Sequence, residues 1–177
     1  MTPSTLHRLW ILATCWLALA GCAVSPTTTD GAALQPNEGL LVFHVGSNSD
    51  ALLSYVDYAE VSTFISRLGD GMGGERGQLR IKSGDTFYVV PLAAGEYMFS
   101  KFHTASGYDW LQATNRFRVQ ANTITYIGHI AIRVDVRRYS IQVRDREPQM
   151  RTYLANTYPV YFKGMDFQKK FAELKLR

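Results

Sequence analysis

The stretch "TITYIGHIAIRV" (123–134) constrains the fold more than any other part of this chain. Ile124, Tyr126, Gly128, Ile130, Ile132 and Val134 fall on every second position. That period lines one face of a β-strand and cannot line one stripe of a helix. "RYSIQVR" (138–144) repeats it with Tyr139, Ile141 and Val143. Upstream, "GLLVFHV" (39–45), "ALLSYVDYAEV" (51–61), "QLRIK" (78–82), "TFYVVPL" (86–92), "YMFSKF" (97–102) and "RFRV" (116–119) are further short β-rich runs. In 51–61 the spacing puts Leu53, Tyr55 and Asp57 on one side. Turn-prone clusters such as "GSNSD", "SGD", "AAGE" and "QAN" separate the runs. About seven or eight strands with no long central helix predict a mainly β fold, an antiparallel β-sandwich. Gly128 reads as a bend where one long strand serves both sheets.

The period changes near the C-terminus. In "DREPQMRTYLANTYP" (145–159) Pro148 suits a first helical turn, Met150, Tyr153 and Leu154 share a face, and Pro159 stops the helix. In "DFQKKFAELKLR" (166–177) Asp166 is a cap candidate, and Phe167, Phe171 and Leu174 stand at i, i+4 and i+7. One or two short helices in 147–177 are therefore expected to pack on a sandwich spanning 39–146.

The N-terminus carries a different signal. After Arg8, "LWILATCWLALA" (9–20) has no charge. It is long enough for the apolar part of a secretory signal, and short of the roughly 20 residues needed to cross a hydrocarbon core. "LAGC" (19–22) follows, and it resembles the lipobox of bacterial lipoproteins at every position. The resemblance implies a signal peptide over 1–21, cleavage between Gly21 and Cys22, and a diacylglyceryl thioether with palmitate-type acylation on Cys22. Two or three long acyl chains hold a protein on a bilayer, whereas one myristoyl chain holds it only marginally. Ala23 stands where an Asp would resemble an inner-membrane retention signal, which favours the outer membrane, facing the periplasm. Residues 22–38, rich in Thr, Ala and Pro, read as a flexible tether.

Processing also bounds the chemistry. Cys15 leaves with the signal and Cys22 is consumed by lipid, so packing alone must hold the body together. Charge is uneven. Residues 22–132 hold 7 basic and 10 acidic side chains (net −3), and 133–177 hold 11 and 5 (net +6). The basic third suits either a solvated surface or an anionic envelope surface.

The run "FYVVPLAAGEYMFSKF" (87–102) followed by "FRVQANTITYIGHIAI" (117–132) resembles uncharacterised bacterial lipoproteins with a prealbumin-like (carboxypeptidase-regulatory-like) β-sandwich. Leu92, Gly95, Tyr97, Val119, Ala121, Tyr126, Ile127 and Gly128 carry the likeness. Gly95 is expected at positive φ in the corner, with the Tyr97 hydroxyl reaching backbone. The likeness implies no catalytic residue.

Motifs for chemistry are sparse. Gly69-x-Gly71-x-x-Gly74 spells a dinucleotide fingerprint, yet "QLRIK" after it is strand-like rather than the helix that a pyrophosphate site needs. His44, His103 and His129 have no metal-site spacing, and His129 is expected on the opposite side from Tyr126 and Ile130, partly exposed. No nucleophile elbow, paired carboxylates or calcium loop occurs. No cofactor, metal or nucleic-acid partner is expected, and the chain does not read as an enzyme. "TASGYDWLQATN" (104–115) leaves two readings open: Tyr108 and Trp110 form an exposed tip for a glycan or peptide, or Trp110 folds into the core. The expected function is a membrane-anchored, non-catalytic interaction or structural module of the bacterial envelope. The alternatives are a glycan- or peptide-binding module and a lipidated scaffold subunit of a secretion or envelope complex. Partners are the membrane through Cys22 and an envelope protein or cell-wall glycan.

Overall fold

A computed structural model describes residues 27–48, 55–60, 76–80, 84–104, 107–110, 116–135 and 138–174. Alternating apolar residues build two sheets. The first contains β1 (Glu38–Ser47), β4 (Gly84–Ala93), β8 (Thr123–Asp135), β9 (Arg138–Arg144) and β10 (Asp166–Lys169). The second contains β2 (Tyr55–Glu60), β3 (Arg76–Arg80), β5 (Gly95–Thr104), β6 (Gly107–Trp110) and β7 (Arg116–Val119). Two helices, α1 (Glu147–Thr157) and α2 (Pro159–Gly164), lie between β9 and β10 in the chain. No helix among the described residues is long and apolar enough to cross a membrane.

The second sheet is antiparallel throughout its pairings. The first is mixed, which departs from the purely antiparallel expectation. β1 pairs antiparallel with β4 but parallel with β8, and β10 also runs parallel to β8. Parallel neighbours need long crossover connections. Between β1 and β8 the chain builds the strands of the second sheet, β2 and β3 before β4 and β5 to β7 after it, and between β8 and β10 it places β9 and the two helices. After β4 it leaves the first sheet at Ala94 and returns at Gln120–Asn122, where Asn122 adopts φ 53°. Tyr97 fixes the first corner by donating its hydroxyl hydrogen to Ala93 O at 2.8 Å, as its sequence context suggests. Gly95 is not at positive φ, because it already belongs to β5 opposite Val119.

Two apolar layers follow from the alternation. Leu41, Phe43 and Val45 of β1 point toward the second sheet, where Val56, Tyr58, Tyr97, Phe99 and Phe117 meet them. Phe43 stacks on its cross-strand partner Tyr88 at 4.9 Å and meets Phe99 edge-on at 6.0 Å. In β2 it is Val56 and Tyr58, the positions alternating with Tyr55 and Asp57, that enter the core; Leu53 lies outside the described residues. On the other face Leu40, Val42, Val89, Ile124 and Tyr126 are roofed by Met150, Leu154, Tyr158 and Tyr161. Met150 and Leu154 are fully buried, each worth about 2 kcal/mol of transfer free energy.

β8 contains the irregularity that positions the candidate site. Its register against β1 runs Val42↔Tyr126 and then His44↔His129, so one strand advances two residues while the other advances three. Gly128 sits in this bulge at φ +109°, a conformation open to glycine. A Cβ there would stand 2.5 Å from Val143 Cγ1. Gly128 therefore does not carry the strand into the second sheet as expected. It marks where the outer edge of β8 exchanges β10 for β9 within one sheet. The extra residue also splits the even-numbered stripe. Ile124 and Tyr126 face the helices, whereas Ile130 and Ile132 face the second sheet.

Two further expectations are corrected. The described residues of the 166–177 run, 166–174, do not form a second amphipathic helix. Asp166–Lys169 is β10, and Lys170 N–H and Ala172 N–H continue along β8 to Tyr126 O and Ile127 O at 2.8 and 3.1 Å. Ala172 and Leu174 enter the core between the sheets, while Phe171 is exposed. The open edge of β8 offers unpaired backbone groups, and satisfying them outweighs a helical pattern. The described part of the tether expected over 22–38, residues 27–37, is likewise laid against the body. Its residues 28–35 form a strap: Thr28 N–H donates to Val89 O at 3.1 Å, and Asp30 accepts from Val160 N–H and Tyr161 N–H at 3.1 and 3.2 Å. Tyr161 donates its hydroxyl hydrogen to Ala32 O.

Candidate functional site

Register brings three aromatic rings into a row. Phe87 on β4, His44 on β1 and His129 on β8 are direct cross-strand neighbours on the helix-facing side of the first sheet. Phe87 stacks on His44 at 4.3 Å and 11°, and Tyr153 of α1 stacks on Phe87 at 4.3 Å and 10°. His44 and His129 are both buried, 3% exposed each. Their Nδ1 atoms lie 2.6 Å apart. His129 is thus on the same side as Tyr126, not opposite it, because the bulge at Gly128 reverses its phase. His103 stands apart on β5 of the second sheet, opposite Tyr55 and Tyr108.

At 2.6 Å one nitrogen must donate and the other accept. Asp85 Oδ1 on β4 is 3.5 Å from His44 Nε2, an ion-pair distance that favours a proton on that nitrogen. His44 Nδ1 is then the acceptor and His129 Nδ1 the donor, so the pair is neutral with one shared proton. Gly46 leaves the space for this: a Cβ there would stand 2.8 Å from His129 Cε1 and 2.9 Å from Asp85 Oδ1. Burial is the main cause that pushes both imidazoles down from their usual value. For His129 burial, then His44, then Arg146 act together and bring it to about 4, with Asp85 opposing. For His44 burial outweighs the raising effect of Asp85, and Arg146 adds to the lowering.

A tetrahedral metal with bonds to nitrogen near 2.0 Å would hold two ligand atoms about 3.3 Å apart. The observed 2.6 Å does not fit two ligands of one ion. No group of three or more His, Cys, Asp or Glu side chains among the described residues is placed to hold one. The arrangement suits proton sharing and cross-strand locking.

The basic C-terminal third is partly neutralised by its own acids. Lys169 Nζ lies 3.0 Å from Asp145 and 2.8 Å from Glu147, and Arg151 bonds Glu147 at 2.7 Å. These contacts lower both carboxyls and raise Lys169, with Glu147 N–H the leading cause for Asp145. Arg151 also covers the Phe167 ring at 4.0 Å.

Gly21 and Cys22 lie outside the described residues. Tyr108 and Trp110 belong to β6, where their backbones pair with His103 and Lys101; 107–110 is strand where a loop was expected. The glycines at 69–74 lie outside the described residues, and Arg76 and Gly77 open β3. The histidine pair is the constellation that sequence reasoning missed. Its two signals are a histidine in each of two apolar strands and a glycine inside the longer one. No family model, curated protein or solved structure matches this chain.

Proposed function

We propose that this chain is a lipid-anchored lipoprotein of the bacterial envelope, whose body is a non-catalytic interaction or structural module. The carrying observation is "LAGC" (19–22) directly behind an uncharged apolar run. We read the two facing sheets as a prealbumin-like β-sandwich with one mixed sheet, capped by a helical layer. The histidine pair supports the non-catalytic reading: its proton is held between two buried rings, stacked under Phe87 and Tyr153, and both imidazoles are tuned to stay neutral. A general base poised for work is tuned toward ambient pH rather than far below it. Acylated Cys22 is the anchor, and Ala23 favours the outer membrane. Labelled palmitate fed to cells is expected to enter the parent chain and not a Cys22→Ala variant. Equal labelling of the two would remove the anchor.

A further inference from the structure

Five residues, Ala23 to Thr27, separate Cys22 from the first strap residue bonded to the body. An extended chain covers at most about 3.6 Å per residue, so Thr28 stays within about 20 Å of Cys22. A free tether reaching to residue 38 would extend to about 55 Å by the same measure. The strap removes that slack by running from the β4 edge onto α2 before it enters β1.

We propose that the face made by this strap and α2 rests against phospholipid headgroups; this rests on the lipid attachment at Cys22 proposed above. The short leash brings that corner of the body to the bilayer surface. The chemistry of the corner matches. Val160 is 61% exposed, the largest exposure of any large hydrophobic side chain among the described residues, and it packs beside Gly31 of the strap. Lys163, also exposed, follows at i+3 on the same side of α2. An apolar side chain with a lysine one turn away suits the boundary between acyl chains and phosphates. The opposite surface differs. Arg118 leaves β7 on the outer side of the second sheet, with both sheets between it and α2.

The full chain carrying Val160→Cys or Arg118→Cys tests the orientation. After processing, each variant holds one free thiol, since Cys15 precedes the cut and Cys22 is a thioether. The thiol is labelled with a polarity-sensitive fluorophore. The lipidated protein is then placed in phosphatidylethanolamine–phosphatidylglycerol vesicles containing headgroup spin-labelled lipid. Severalfold stronger quenching at position 160 than at 118 is expected, with thermal melting of both variants like the parent. Equal quenching at the two positions, with mass spectrometry showing acylated Cys22, overturns the orientation and leaves the anchor intact. An unacylated Cys22 overturns both.

Discussion

At the scale of the residue, His44 and His129 show how burial converts a titratable group into a fixed one. Unfolded, each imidazole titrates near 6.5. Folded, His129 is held at about 4, first by burial and next by His44. Between those values the unfolded chain binds more protons, so stability present above pH 6.5 is lost as pH falls toward 4. For His129 the loss is about 3 kcal/mol at 1.36 kcal/mol per unit, and His44 moves in the same direction. Calorimetric melting across this window is expected to show a steep fall in the parent. A shallower fall is expected in His129→Asn, whose amide can still donate to His44. If both chains lose stability with the same slope, the pair is not the titrating element. The sequence shows which residues are histidines but not that they meet. Alternation alone sends His129 away from Tyr126. Only the extra residue at the Gly128 bulge turns it back, and a bulge leaves no mark in a period-2 pattern beyond the glycine itself.

Among elements, the strap and the 166–174 segment have one lesson in common: local preference yields to a vacant partner. Residues 28–35 have little to bury, yet Asp30 satisfies two backbone donors at the start of α2 from 130 residues away. Those N–H groups have no partner inside the helix, and a carboxylate is among their best acceptors. Asp30→Ala is expected to cost about 1 kcal/mol, the usual worth of such a cap, and to open the strap to limited proteolysis first near residues 27–35. Unchanged melting and unchanged cleavage would show the strap to be a passenger. The first helix was legible because Pro148, Met150 and Leu154 obey rules local to a few turns. Residues 166–174 were not, since Phe167, Phe171 and Leu174 fit a helical wheel as well as a strand edge. What decides is the unpaired side of β8, more than 30 residues earlier in the chain.

For the whole molecule, the β content and most strand positions could be read from alternation and turns. The mixed sheet could not, because β1 and β8 are joined side by side from distant parts of the chain. Neither strand's sequence states which neighbour it takes or in which direction. Completion of the fold is equally non-local. Leu174 and Ala172 fill the core between the sheets that strands as early as β1 begin. A chain stopped after Met165 is expected to unfold in urea at a lower midpoint and to bind a hydrophobic dye that the parent excludes. An identical midpoint would show that the segment merely decorates a finished body.

A body whose keystone arrives after every other strand has a particular history. While it is still being made, the earlier strands lack the piece that locks them, and the thread stays pliable. Rigidity is deferred until β10 is made.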